Sequence, residues 1–261
     1  MAIRAEMPAT KQARRPALDR DVAMTLAATE YARVVTMVEN LTPHQWAMPT
    51  ECPGWDVRAM AGHMLGMAQL VATVPELVRQ QVASQRGAKR SGTSPLDALT
   101  ALQVAKNAHL SAGEVVQQMR MIGPRATRGR RRIPAVIRQR RIPDPQDVGG
   151  VAEWWTFGFL FDVVLTRDPF MHRIDISRAT GAPLQTTAAH EGVLVDDVVR
   201  EWAGRHGRPF HLELTGTAGG TWEHGESTGE REVIRMDAVD FCRSVAGRGP
   251  ATGLLAAQVP F

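Results

Sequence analysis

The sequence predicts an α+β protein, a four-helix bundle followed by a small α+β unit. Three observations predict it. Apolar residues recur at helical spacing through four long segments before residue 183. Long crossovers rather than tight turns join those segments, which is a bundle pattern. Past Pro183, short alternating segments take over. The expected organisation is a disordered leader over 1–18, a bundle over 19–183 and an α+β domain over 184–261.

The first helix is expected from about Asp19 to Asn40. Val22, Leu26, Val34, Met37, Val38 and Leu41 keep the spacing, and Asp19 or Asp21 can cap it. LTPHQWAMPTECPGW follows as a connection that Trp46 and Trp55 pin to the core. The second helix starts at Asp56, an N-cap, and carries the stripe Val57, Met60, Met64, Met67 and Val71. His63 lies at the edge of that stripe. Pro75 ends or kinks the helix, and a polar connection runs to Thr93.

SPLD at 94–97 opens the third helix, which runs to Asn107. It restarts at the capping box SAGE (111–114) and continues to Met121. The fourth helix is expected from near Val151 until Gly181 and Pro183 stop it. Beyond it, Thr187 to Arg205 reads as a helix. FHLELTG, TWEH and REVIRM read as strands, and DAVDFCRSVAGR as a short helix.

Composition excludes several classes. No apolar run reaches the length of a membrane helix. The basic N-terminus lacks the apolar region of a signal peptide. Cys52 and Cys242 form no disulfide framework and no CxxC pair, so a reduced cytoplasm is expected and a thiolate zinc site is not. The net charge is +4, yet RATRGRRRIPAVIRQRR (125–141) holds eight arginines. That block lacks the interleaved aromatics and the surrounding motif of a nucleic-acid site. A solvated linker is the favoured reading, with attraction of a small anion second.

TRDPFMHRIDI (166–176) raises the question of chemistry. On a helix, Asp168 and His172 share one face. If His63 faces them, two imidazoles and a carboxylate converge and leave a fourth position open. The competing reading makes Asp168 an N-cap before Pro169, His172 and Asp175 solvated charges, and His63 a half-buried histidine. Spacing alone leaves both open.

LTPHQWAMPTECPGWDVRAMAGHMLG resembles the opening motif of mycothiol-dependent maleylpyruvate isomerase family proteins. TRDPFMHRIDI resembles their second motif. DAVDFCRSVAGRGPATGLLAAQVPF looks like the family's end, with its Gly-Arg pair at 247–248. The resemblance implies a DinB-like four-helix bundle and an SCP2-like α+β domain. It implies a divalent metal, usually zinc, on His63, Asp168 and His172, with mycothiol as cosubstrate. One departure is that the characterised isomerase pattern has Glu where this chain has Asp168, one methylene shorter.

The expected function is then that of a metal-dependent enzyme whose small-molecule thiol attacks a small electrophile, by isomerisation or S-transfer. Asp175 is expected to orient a ligand imidazole. Arg248 is expected to contact a carboxylate of substrate or thiol. The alternatives are a metal- or ligand-binding bundle without turnover, and a nucleic-acid-associated protein.

Overall fold

The computed structural model describes residues 12–225 and 231–261. In chain order the first helices are α1 (Arg20–Glu39), α2 (Pro43–Trp46), α3 (Val57–Ala72) and α4 (Val74–Ser91). Then come α5 (Pro95–Asn107), α6 (Ala112–Arg132) and α7 (Ala135–Arg138). A hairpin of β1 (Gln146–Val148) and β2 (Val151–Glu153) leads to α8 (Phe157–Phe159), a π-helical turn (Leu160–Val164) and α9 (Leu165–Thr180). The remainder is α10 (Glu191–His206), β3 (Phe210–Thr215), β4 (Gly220–His224), β5 (Glu232–Asp237) and α11 (Ala238–Val245). Among the described residues no helix is long and apolar enough to cross a membrane.

Two compact units divide this chain, and they do not follow its linear order. One holds 21–133 and 168–185, the other 1–20, 134–167 and 186–261. The expected bundle of 19–183 therefore gives up 134–167 to the unit that holds the C-terminal sheet. Arg167 gives one physical reason. Its buried guanidinium bonds Asp197 at 2.6 Å, Glu201 at 2.7 Å and the carbonyl of Pro260 at 3.2 Å.

In the bundle unit, Val34 and Val38 of α1, Met60 and Met64 of α3, Met119 of α6 and Ile176 of α9 share one apolar core. Glycines let the helices approach. A Cβ on Gly129 of α6 would lie 2.0 Å from the Val71 carbonyl oxygen, and one on Gly66 of α3 would lie 2.5 Å from the Gln103 Cβ.

Three expectations about elements fail here. Residues 74–91, expected as a connection, form α4, with Thr73 as N-cap and Pro75 in the first turn. The helix has no apolar stripe to read because its buried positions are Gln80, Ser84 and Ala88. Gln80 donates to the Gly66 carbonyl at 3.2 Å and accepts from Gln103 at 3.0 Å, so hydrogen bonds replace apolar packing. Secondly, α6 passes through Pro124 to Arg132, so the first part of the arginine block is helix rather than linker, while Arg125, Arg128, Arg131, Arg132, Arg140 and Arg141 are exposed as expected. Arg130 is fully buried against Tyr31. Arg138 pairs with Asp162, and Arg141 stacks over Trp154 at 3.8 Å. Thirdly, residues 151–153 form a strand rather than a helix start. Gly149 and Gly150, at φ 62° and 83°, make the two-residue turn that pairs Val148 with Val151.

The expected leader lies outside the described residues up to position 11. Its later part is anchored: Arg14 donates its backbone N–H to the Trp154 carbonyl at 2.7 Å and pairs with Glu153. In the same unit β3 is central, antiparallel to β4 and parallel to β5. Trp202 of α10 packs edge-on against Phe210 and Phe241 and donates to the Leu254 carbonyl at 3.0 Å.

Candidate metal centre

The bundle unit brings His63, Asp168 and His172 together. Asp56 caps α3 by accepting from the Ala59 N–H at 2.7 Å, which sets the helix phase that turns His63 inward. His63 is 3 % exposed, so it is buried rather than at the edge of its stripe. On α9, Asp168 and His172 lie one turn apart on one face. Asp168 Oδ1 is 3.4 Å from His172 Nε2 and 3.7 Å from His63 Nε2. The two imidazole rings stand perpendicular at 5.2 Å. One ligand atom from each of the three residues lies within 4.8 Å of the others.

The capping alternative for Asp168 does not hold. α9 begins at Leu165, so Asp168 and Pro169 are inside the helix. The preceding π turn ends one residue before α9, and such turns recur at functional sites. His172 and Asp175 are buried rather than solvated.

Asp175 stands where an orienting partner is needed. Its Oδ2 is 3.1 Å from His172 Nδ1, which leaves Nε2 facing Asp168. The neighbouring arginines are engaged elsewhere: Arg173 with Glu30, and Arg178 with Glu51 at 3.0 Å. Burial works against a charged His172. The charge and hydrogen bond of Asp168, and then the bond to Asp175, outweigh it and push its pKa up to about 9. Burial likewise opposes the Asp168 carboxylate. The charge of His172 and hydrogen bonds from both histidines outweigh that and hold its carboxyl well below the usual range. Asp168 keeps 15 % side-chain exposure against 4 % for His63, so the centre is most open at the carboxylate.

Arg248 lies outside the bundle unit. It belongs to the other unit, just after α11, where its backbone N–H donates to the Arg243 carbonyl at 2.8 Å.

Two further residues stand beside this centre, Cys52 and Trp55, the latter expected from the sequence only to pin its connection to the core. Cys52 Sγ lies 3.8 Å from Asp175 Oδ2 and groups with His172 and Asp175. The Trp55 ring sits 5.1 Å from His63 and 6.3 Å from His172. The signal in the sequence is the CPGW segment, which carries both residues.

The model of the family described as "Mycothiol maleylpyruvate isomerase N-terminal domain" matches residues 27–177, more than half of the chain. The chain belongs to that family. Uncharacterized proteins from two Mycobacterium tuberculosis strains are each 27 % identical over 222 residues, spanning 81 % of this chain and 79 % of theirs. Crystal structures of the mycothiol-dependent maleylpyruvate isomerase and of a His-to-Ala mutant of it superpose with a TM-score of 0.55 at 14 % identity. They cover 89 % of this chain and 90 % of that one. At that identity the family member's structure speaks for the fold, and the α+β class is the one expected.

Proposed function

We propose that this family member is a metal-dependent, mycothiol-dependent enzyme acting on a small electrophile. The carrying observation is the convergence of His63 Nε2, His172 Nε2 and Asp168 Oδ1 on one point. The donor set fits a divalent ion, zinc first. Ligands about 2.0–2.1 Å from a tetrahedral ion stand roughly 3.3 Å apart. The separations of 3.4 and 3.7 Å are close to that before any adjustment. When bound, such an ion supplies the Lewis acidity that ionises a thiol at neutral pH.

The chain's own residues do the rest. His63, Asp168 and His172 would hold the ion, and Asp175 would fix the His172 ring by accepting from its Nδ1–H. Trp55 stands tilted beside both imidazoles and supplies an apolar wall there. A thiol ionised there would attack the electrophile. Addition, rotation and elimination give isomerisation, and displacement gives S-transfer. The sheet with α10 and α11 supports an SCP2-like reading of the C-terminal region. Two free cysteines support a cytoplasmic setting.

Elemental analysis and turnover test the proposal. Purified protein should carry about one divalent ion per chain, lost in His63→Ala and His172→Ala. Mycothiol added to cobalt-substituted protein should produce a sulfur-to-metal charge-transfer band, and consumption of an electrophile should require that thiol. Full metal content in both variants sinks the site. A loaded protein that turns over no thiol with any electrophile is a binding bundle instead.

A further inference from the structure

The CPGW segment does more than lead into α3. Residues 52–55 form a tight turn closed by the Trp55 N–H donating to the Cys52 carbonyl at 3.0 Å. Pro53 takes the second position and Gly54, at φ 78°, the third, which is the pattern of a type II turn. A second bond, from the Thr50 N–H to the Trp55 carbonyl at 2.9 Å, holds the turn on its stem, and the Cys52 N–H donates to Thr50 Oγ1 at 3.2 Å. The turn therefore sets Cys52 and Trp55 with little freedom.

Both side chains meet the metal centre, by different routes. Trp55 lies against the two imidazoles. Cys52 Sγ reaches Asp175 Oδ2, the same oxygen that His172 Nδ1 faces at 3.1 Å. Asp175 is wholly buried. Cys52 groups with His172 and Asp175 but not with His63 and Asp168. It thus sits on the Nδ1 side of the ring, across from the face that Asp168 occupies.

We propose that Cys52 is a positioning residue: its thiol holds the Asp175 carboxylate on His172 Nδ1, so that Nε2 stays aimed at Asp168 and His63. The inference rests on the metal-centre reading above for its consequence, not for its contact. A neutral thiol is a weak donor, and the carboxylate acceptor strengthens the bond. Movement of the Asp175 carboxylate off Nδ1 would release the imidazole, and outer partners of this kind typically contribute about 10–100-fold to metal affinity.

The test uses the full-length protein in two arms. In the first, zinc affinity is measured by competition with a chelator. Cys52→Ala should weaken it by roughly tenfold, and Cys52→Ser, which keeps a donor of similar size, should retain most of it. In the second, the infrared S–H stretch is recorded on metal-free protein. The Cys52 band is assigned by its loss in Cys52→Ala, and in Asp175→Asn it should move to higher frequency, because a neutral amide oxygen accepts more weakly.

Wild-type affinity in Cys52→Ala, or an unmoved band in Asp175→Asn, overturns the proposal. So does equal loss of zinc in the Ala and Ser variants together with a charge-transfer band in cobalt protein lacking added thiol, which makes Cys52 a ligand. Wild-type protein that takes up no zinc overturns the metal reading instead, while the infrared arm still decides the Cys52 contact.

Discussion

Arg173 and Glu30 form a two-point ion pair in the interior of the bundle unit. Arg173 Nε donates to Glu30 Oε2 at 2.9 Å, and Nη2 donates to Oε1 at 2.8 Å. The pair ties α9 to α1 one residue after His172, and the Gln185 carbonyl accepts a third guanidinium bond at 3.0 Å.

Truncating one member of this pair is therefore costly. Arg173→Met strips the buried Glu30 carboxylate of both guanidinium bonds. Urea unfolding should show a loss of about 3–5 kcal/mol. Replacing both members by apolar residues should recover a large part of it. A loss below 1 kcal/mol in the single variant would mean the pair is loosely held.

Asp168 separates a ligand from a cap. It stands inside α9, so helix capping gives Asn no way to substitute for it. Asp168→Asn should lower zinc affinity by more than the ~10-fold typical of outer partners, measured by chelator competition. Asp168→Glu, the residue of the characterised family pattern, should keep the ion. Unchanged affinity in Asp168→Asn removes Asp168 from the ligand set.

Gly129 should tolerate no side chain. Its Cβ would lie 2.0 Å from a backbone oxygen of Val71, which cannot swing aside as a side-chain tip can. Gly129→Ala should destabilise by about 1–3 kcal/mol or more, despite the higher helix propensity of alanine. Thermal unfolding checks it. Gly113, with nothing within 4 Å, is the control and should gain slightly on the same substitution.

Glu76 gives a pH dependence. The Arg79 guanidinium bonded to its carboxylate, helped by Lys106 and Gln80 against the opposing effect of burial, holds its pKa down to about 2 from 4.5. The unfolded chain thus binds the proton at higher pH than the folded one. The contribution is fully present above about pH 4.5 and is lost as pH falls toward 2. The Tm difference between wild type and Glu76→Gln should shrink across that window. A difference that stays constant from pH 5 to pH 2 would show that Glu76 titrates normally.

The two thiols should respond differently to Ellman's reagent. Burial pushes Cys242 up to about 12, so it stays an unreactive thiol in the native protein. Cys52 is only partly buried. Native protein should show no more than one reactive thiol, absent in Cys52→Ala, and denatured protein two. Two fast thiols in the native state would contradict the burial of Cys242.

The sequence by itself determined the elements whose signals are local. Helical spacing and caps placed α1, α3 and α5, and alternation placed β3. These elements depend on residues a few positions apart, which a chain cannot conceal. The Asp168–His172 pair was legible for the same reason, since one turn of helix settles it. Tertiary structure decided what depends on a partner far along the chain. α4 has no apolar stripe because Gln80 meets Gln103, and α6 continues because Arg130 finds Tyr31. Cys52 gained a role only when Asp175 came within 3.8 Å across 123 positions. Spacing alone left His63 undetermined, and the family motif only implied it. Two imidazoles on different helices share a point through packing, and the direction of that packing is written in neither segment.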